Sequence, residues 1–275
     1  MKMKKFVLGL TTMLALSSCG GGKFVLGLGG EGVPVGQYSA KILQYFSLDE
    51  QKLVEKGVIS YGSDVKAVTT QVKQSLVSAG IIYATDAFSA NLKVVDTATK
   101  EMCGQVLYPA AVIQNSNGNA DAAKSFLSYL TNTQAMDVFK SVGFSQAIES
   151  QIESPQTSET VTLKIYAAAS MTETMNAIKP LYEAAHSNVT LECYYGSSGT
   201  LQTQIEQGPN NCDLFISAGK KQMDALENES LIINDSRINL LENKVALAVP
   251  DKNPYNINSF QDLVTKLRTY LEETK

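Results

Sequence analysis

The chain has 275 residues, 44% of them hydrophobic and 18% charged, an ordinary globular composition long enough for one large domain or two modest ones. Its formal net charge is −4, so no basic surface argues for nucleic acid, and an anionic guest would have to be held by local donors rather than a global field. One histidine, His186, and four cysteines, Cys19, Cys103, Cys193 and Cys212, none of them at zinc-like spacing, argue against a transition-metal site.

At the N-terminus, Met1-Lys-Met-Lys-Lys5 is basic and residues 6–16 form an apolar run too short to span a bilayer. Leu16-Ser17-Ser18-Cys19-Gly20 follows, which resembles the lipobox of bacterial lipoproteins. The resemblance implies a signal peptide over 1–19, lipidation at Cys19, a flexible tether over 20–22, and a mature protein anchored outside the cytoplasmic membrane without spanning it. The alternative is an ordinary secretory signal cleaved elsewhere. Three cysteines then remain, an odd number in an oxidising compartment, and no disulfide is assigned among them.

Beyond the tether, short apolar runs alternate with amphipathic stretches. Strands are predicted at 24–26, 58–61, 80–83, 92–95, 161–167, 189–195, 214–216 and 245–249, each rich in β-branched or aromatic residues and closed by Gly, Ser, Asp or Pro. Helices are predicted at 34–46, with Pro34 in the first turn, and at 49–56, 64–74, 120–130, 133–141, 171–185, 200–207, 220–227 and 260–273. Pro180 is expected to kink or split the 171–185 helix. This alternation argues for parallel α/β sheets, and the length favours two lobes. Residues 150–160 are polar and aperiodic and read as a linker.

Five strand-to-helix turns could carry chemistry. In Ala167-Ala-Ala-Ser170-Met-Thr-Glu173, small residues would let an anion approach the N–H groups of a helix start; the plain alternative is a capping box between Ser170 and Glu173. Gly196-Ser-Ser198-Gly-Thr200 repeats the pattern with hydroxyl donors. Gly27-Leu-Gly29-Gly-Glu-Gly32 fits G-x-G-x-x-G, but Pro34 starts the helix only after the glycines, so a third turn presenting N–H groups is the more economical reading. Tyr61-Gly-Ser-Asp64-Val65 offers Asp64 as a cap, and the 80–83 strand ends on Tyr83, whose hydroxyl could donate. His186 reads as a surface residue at a helix end, and no hydrolase motif stands out.

Together these segments are similar to the molybdate-binding proteins of bacterial ABC importers, within the type II periplasmic binding proteins. Besides the two serine turns, the matching runs are Asp213-Leu-Phe-Ile-Ser-Ala, Lys244-Val-Ala-Leu-Ala-Val-Pro, Gly32-Val-Pro-Val-Gly-Gln-Tyr, Gly80-Ile-Ile-Tyr-Ala-Thr-Asp-Ala and Tyr108-Pro-Ala-Ala-Val. Their order departs from the family, in which the part from Val161 to Lys275 would come before the part from Lys23 to Ile148. The chain resembles a circular permutant rejoined through residues 150–160.

The resemblance implies a two-lobed periplasmic-binding-protein α/β fold, each lobe a mainly parallel sheet flanked by helices. Lobe one would be 106–249 and lobe two 23–105 plus 251–275, with hinge strands crossing near Val249-Pro250 and Leu107-Tyr108-Pro109. The implied function is not enzymatic: a monomer captures molybdate or tungstate by lobe closure and delivers it to a membrane ABC permease, with no cofactor and no metal beyond that of the anion. The implied ligand-binding positions are Ser170, Ser198, Val35, Val65 and Tyr83, offering hydroxyls and backbone N–H groups; Gly199 stands where a serine is frequent. None of the five is acidic, which suits a fully ionised dianion better than a protonated phosphate, unless Glu31 or Asp64 points inward. The competing readings are a receptor for sulfate or another oxyanion, and a nucleotide-dependent enzyme using Gly27 to Gly32.

Overall fold

The computed structural model describes residues 22–115, 119–147, 155 and 159–272. The signal segment with Cys19, residues 20 and 21 of the tether, and most of the 150–160 linker lie outside the described residues. In chain order the elements are β1 (Leu26–Gly29), α1 (Pro34–Tyr45), α2 (Glu50–Glu55), β2 (Ile59–Gly62), α3 (Val65–Lys73), β3 (Ala79–Tyr83), α4 (Ala84–Ser89), β4 (Lys93–Thr97), α5 (Lys100–Cys103) and β5 (Val106–Val112). Then come α6 (Ala120–Tyr129), α7 (Thr133–Ser141), β6 (Ser145–Gln146), β7 (Val161–Ala168), a 3₁₀ turn at Ala169–Met171, α8 (Thr172–Ala185), β8 (Val189–Gly196), α9 (Ser198–Gln207) and β9 (Leu214–Ile216). The last are α10 (Lys220–Asn228), β10 (Ile238–Asn243), β11 (Val245–Val249) and α11 (Phe260–Glu272).

The helices form where apolar residues recur at one-face spacing. In α1, Val35, Tyr38, Ser39, Ile42 and Leu43 are buried; in α11, Phe260, Leu263, Val264 and Leu267 are. Every predicted strand and helix is present, with ends displaced by a few residues at most. Pro180 does not split α8: the helix runs through it, and Pro180 lies on the exposed face, where the carbonyl that loses its partner can meet water.

Two sheets build two lobes. One has the order β2-β1-β3-β11-β4 and the other β6-β10-β5-β9-β7-β8. The sheets are mixed rather than mainly parallel. The βα units β1, β2 and β3 pair in parallel, as do β7, β8 and β9, whereas β11 and β5 run antiparallel to their neighbours. β5 and β11 are the first strands after the chain passes from one lobe to the other, so each enters its sheet from the hinge side. The crossings accordingly lie at Gly104–Gln105 and at Asn243–Lys244, not at Val249-Pro250, since β11 belongs to the first sheet. That sheet and its helices use residues 22–105 and 244–272, and the other uses 106–243. The two described ends of the chain meet: Phe24 N–H donates to the Tyr270 hydroxyl at 3.1 Å, and the Phe24 ring stands edge-on to Tyr255 at 5.2 Å.

Candidate functional site

Several helix starts converge between the lobes. Those of α1 and α3 come from one lobe, and those of α9 and the 3₁₀ turn before α8 from the other. Val35, Val65, Tyr83, Ser170 and Ser198 all line a single small cavity there. It is small, so only a compact guest fits it. All five residues are buried, and the lobes are closed over the cavity. Gly199 N–H donates to the Gly32 carbonyl across the cleft at 3.1 Å. A Cβ on Gly199 would lie 2.4 Å from that carbonyl oxygen, which is why the serine expected at this place would not fit the closed form.

The backbone donors arise from how the helices begin. The first N–H groups of a helix have no acceptor within it. Pro34 opens α1, and its N-cap Val33 makes no side-chain cap, so the N–H of Val35, a residue that lines the cavity, has no acceptor within the helix. In α3 the Asp64 carboxylate caps Ala67 N–H at 2.8 Å. Asp64 thus lines the cavity, which is the exception the sequence left open, with one oxygen taken by the cap and the other outside it; Glu31 lines a wider outer groove instead.

The hydroxyls are set by their partners. Ser198 Oγ accepts from Ala218 N–H at 3.0 Å, so its own proton is free for the cavity. Ser170 is not the cap of a capping box. It lies in the 3₁₀ turn, α8 starts after Met171 without a side-chain cap, and Ser170 Oγ instead pairs with the Tyr108 hydroxyl at 2.9 Å. Tyr83 reaches the cavity wall, but its hydroxyl donates to the Ala218 carbonyl of the other lobe at 3.2 Å, so a guest has to compete for that proton. Burial first, and then the neighbouring Tyr108, pushes the Tyr83 phenol well above its ordinary range, which keeps it a donor.

Beside this cavity lies an ion cluster that sequence reasoning did not single out. Lys66 Nζ is 2.6 Å from a carboxylate oxygen of Glu173, in the other lobe, and 3.1 Å from Asp86, whose side chain is wholly buried. The Asp86 contact has ion-pair distance without hydrogen-bond alignment, and neither Asp86 oxygen has a hydrogen-bond partner among the described residues. Burial raises the Asp86 carboxyl to about 6 against the opposing pull of Lys66. Burial works against the charge on Lys66, but Asp86 and Glu173 outweigh it and hold the ammonium above its usual value. The sequence signal was faint: Glu173 looked like a cap partner, and Asp86 appeared only within a run matched to the family.

The other singled-out features lie apart. His186 ends α8, stacked on Tyr182 at 4.1 Å and away from the cavity. Cys103, Cys193 and Cys212 carry free thiols. Gly27 to Gly32 is followed by Val33 before α1 begins, so no helix starts at its last glycine as a dinucleotide loop requires. Among the described residues no helix is long and apolar enough to cross a membrane, and no His, Cys, Asp and Glu group could hold a metal ion.

Residues 15–145 and 163–270 match the family model of bacterial extracellular solute-binding proteins. The chain is 38% identical over 103 residues to a Bacillus subtilis (strain 168) protein named as an ABC transporter substrate-binding lipoprotein, covering 38% of this chain and 39% of that protein. It is 34% identical over 125 residues to the molybdate-binding protein ModA of Escherichia coli (strain K12), covering 45% and 46%. These alignments thus span under half the length of the curated relatives. A phosphate-binding protein of a Streptococcus pneumoniae TIGR4 ABC transporter shares the fold, with a TM-score of 0.54 at 13% identity over 90% of this chain and 97% of that one.

Proposed function

This chain belongs to the bacterial extracellular solute-binding protein family, and we propose that it captures molybdate or tungstate between its lobes and hands it to the membrane permease of an ABC importer. A solute-binding protein is not an enzyme, and the nucleotide-dependent reading of Gly27 to Gly32 falls with that. The observation that carries the proposal is the hydrogen bond at Ser198, whose oxygen accepts from Ala218 N–H. The Ser198 oxygen already has a donor in the protein, which leaves its proton for the cavity, and the Ser170 hydroxyl beside it pairs with that of Tyr108. A protonated oxyanion needs an acceptor, whereas a fully ionised dianion needs donors only. The Val35 and Val65 N–H groups at helix starts add donors of the same kind.

Sulfate is the second reading, because it too is a proton-free tetrahedral dianion at neutral pH. The name of the Escherichia coli relative favours molybdate. We also read residues 1–19 as a signal peptide with Cys19 lipidated, and the chain as a circular permutant acting as a monomer. The adjacency of Phe24 and Tyr270 supports the permuted order, as does a family match interrupted over 146–162.

Thermal shift tests the function. Molybdate and tungstate should raise the melting temperature, by an amount equivalent to about 2.7 kcal/mol at a hundredfold excess over the dissociation constant. Hydrogenphosphate should leave it unchanged, and Ser198→Ala should lose most of the molybdate shift. A shift with phosphate and none with molybdate would sink the proposal.

A further inference from the structure

Behind Ser170 runs a buried chain of polar side chains that does not touch the cavity: Tyr108 and Asn243. We infer that these two residues determine specificity, by forcing the Ser170 hydroxyl to act as a donor toward the guest. The inference rests on the proposed oxyanion site and names what selects the protonation state of its ligand.

The direction of the chain follows from one backbone group. Lys244 N–H can only donate, and it donates to Asn243 Oδ1 at 2.8 Å. That fixes the amide, so Asn243 Nδ2 faces the other way and donates twice, to Thr85 Oγ1 at 2.9 Å and to the Tyr108 hydroxyl at 3.1 Å. The Tyr108 oxygen is an acceptor there; the 2.9 Å bond between Tyr108 and Ser170 can run either way by distance alone, and the inference is that the Tyr108 proton takes it rather than turning to the neighbouring Tyr83 hydroxyl. Ser170 Oγ then accepts, and its own proton turns into the cavity. All four side chains are buried, so no water is at hand to reverse the order. Asn243 stands at the crossing between the lobes, with Thr85 on one side and Tyr108 on the other. The hinge therefore sets the polarity of the site.

Asn243→Asp reverses the chain at nearly constant shape. The new carboxylate still accepts from Lys244 N–H, but it also accepts from Tyr108. Tyr108 then accepts from Ser170, and Ser170 presents a lone pair to the cavity. At about pH 8, inorganic phosphate is mainly doubly charged and singly protonated, so it matches molybdate in charge. Repulsion by the added carboxylate, or a general loss of fold, therefore weakens both anions alike and cancels in their ratio. Titration of both anions into both proteins should show the molybdate-to-phosphate preference of the native protein reduced at least tenfold in Asn243→Asp. Tyr108→Phe, which leaves the Ser170 proton free to rotate, should narrow it less. An unchanged ratio in both variants overturns the inference. A native protein that binds neither anion defeats the proposed function instead. The relay then stands or falls in the ligand-free protein by NMR, where the protected Tyr108 hydroxyl proton should lie against Ser170; finding it against Asn243 overturns the relay.

Discussion

The carboxyl of Asp86 has its oxygens sealed from solvent and, among the described residues, the Lys66 ammonium as its ion-pair partner. Its proton affinity rises from an ordinary 3.8 to about 6 on folding, chiefly through burial. The sign follows from linkage: folding takes up a proton between those values, so the group's contribution to stability is complete below about pH 4 and is lost as pH rises through about 6. A shift of this size corresponds to something on the order of 3 kcal/mol. Asp86→Asn removes this dependence and leaves Lys66 its bond to Glu173. Thermal melts of both proteins from pH 4 to 7 should show the variant gaining on the native protein as pH rises; parallel curves would contradict the assignment. Asp86, Tyr108 and Asn243 were invisible as site residues in the sequence for a common reason. Each is a polar residue whose partner is remote: Asn243 and Thr85 are 158 positions apart, Asn243 and Tyr108 135, and Tyr108 and Ser170 62. Ser170 and Ser198 were legible because small residues at a strand-to-helix turn are a local pattern.

At the level of elements, the site is made of helix starts, and their close approach depends on Gly199. The residue lies in the first turn of α9, where alanine suits the backbone and would stabilise an isolated helix by roughly 0.5–1 kcal/mol. In the closed molecule, however, the added Cβ meets the Gly32 carbonyl oxygen at 2.4 Å. Gly199→Ala should therefore leave the ligand-free melting temperature level or slightly raised while weakening molybdate at least tenfold, as paired melts and titrations would show; equal affinity would mean the lobes need not approach so closely. The strands that follow βα alternation could be read from the sequence, but β5 and β10 could not. β5 is a continuous buried run interrupted by Pro109, which a central strand normally refuses. The partner strand accommodates it with a bulge, its register shifting between Asn239 and Leu241 beside the Asn239–Pro109 pair. β10 mixes Asn and Glu into its run and reads as a loop until β5 and β6 are in place. The resemblance implied a hinge strand near Tyr108, but the second crossing fell early because Val245–Val249 looks alike in either lobe.

At the scale of the molecule, contacts that bind one lobe to the other around the cavity include Gly199 to Gly32, Tyr83 to Ala218, and Lys66 to Glu173. None of them involves a guest, so the closed form has support of its own, and a ligand adds the difference between its affinities for closed and open forms. The exposed Glu173 end of the ion pair contributes little by itself. The hydroxyl and backbone donors are shielded from water, and toward the proposed dianion each hydrogen bond would contribute about 1.5–3 kcal/mol. The central claim, that two lobes close on one proton-free dianion, is tested most directly by calorimetric titration of molybdate into the purified protein at neutral pH. The account predicts one site per chain with a dissociation constant below about 1 μM. Millimolar binding, or hydrogenphosphate bound as tightly as molybdate, would contradict it.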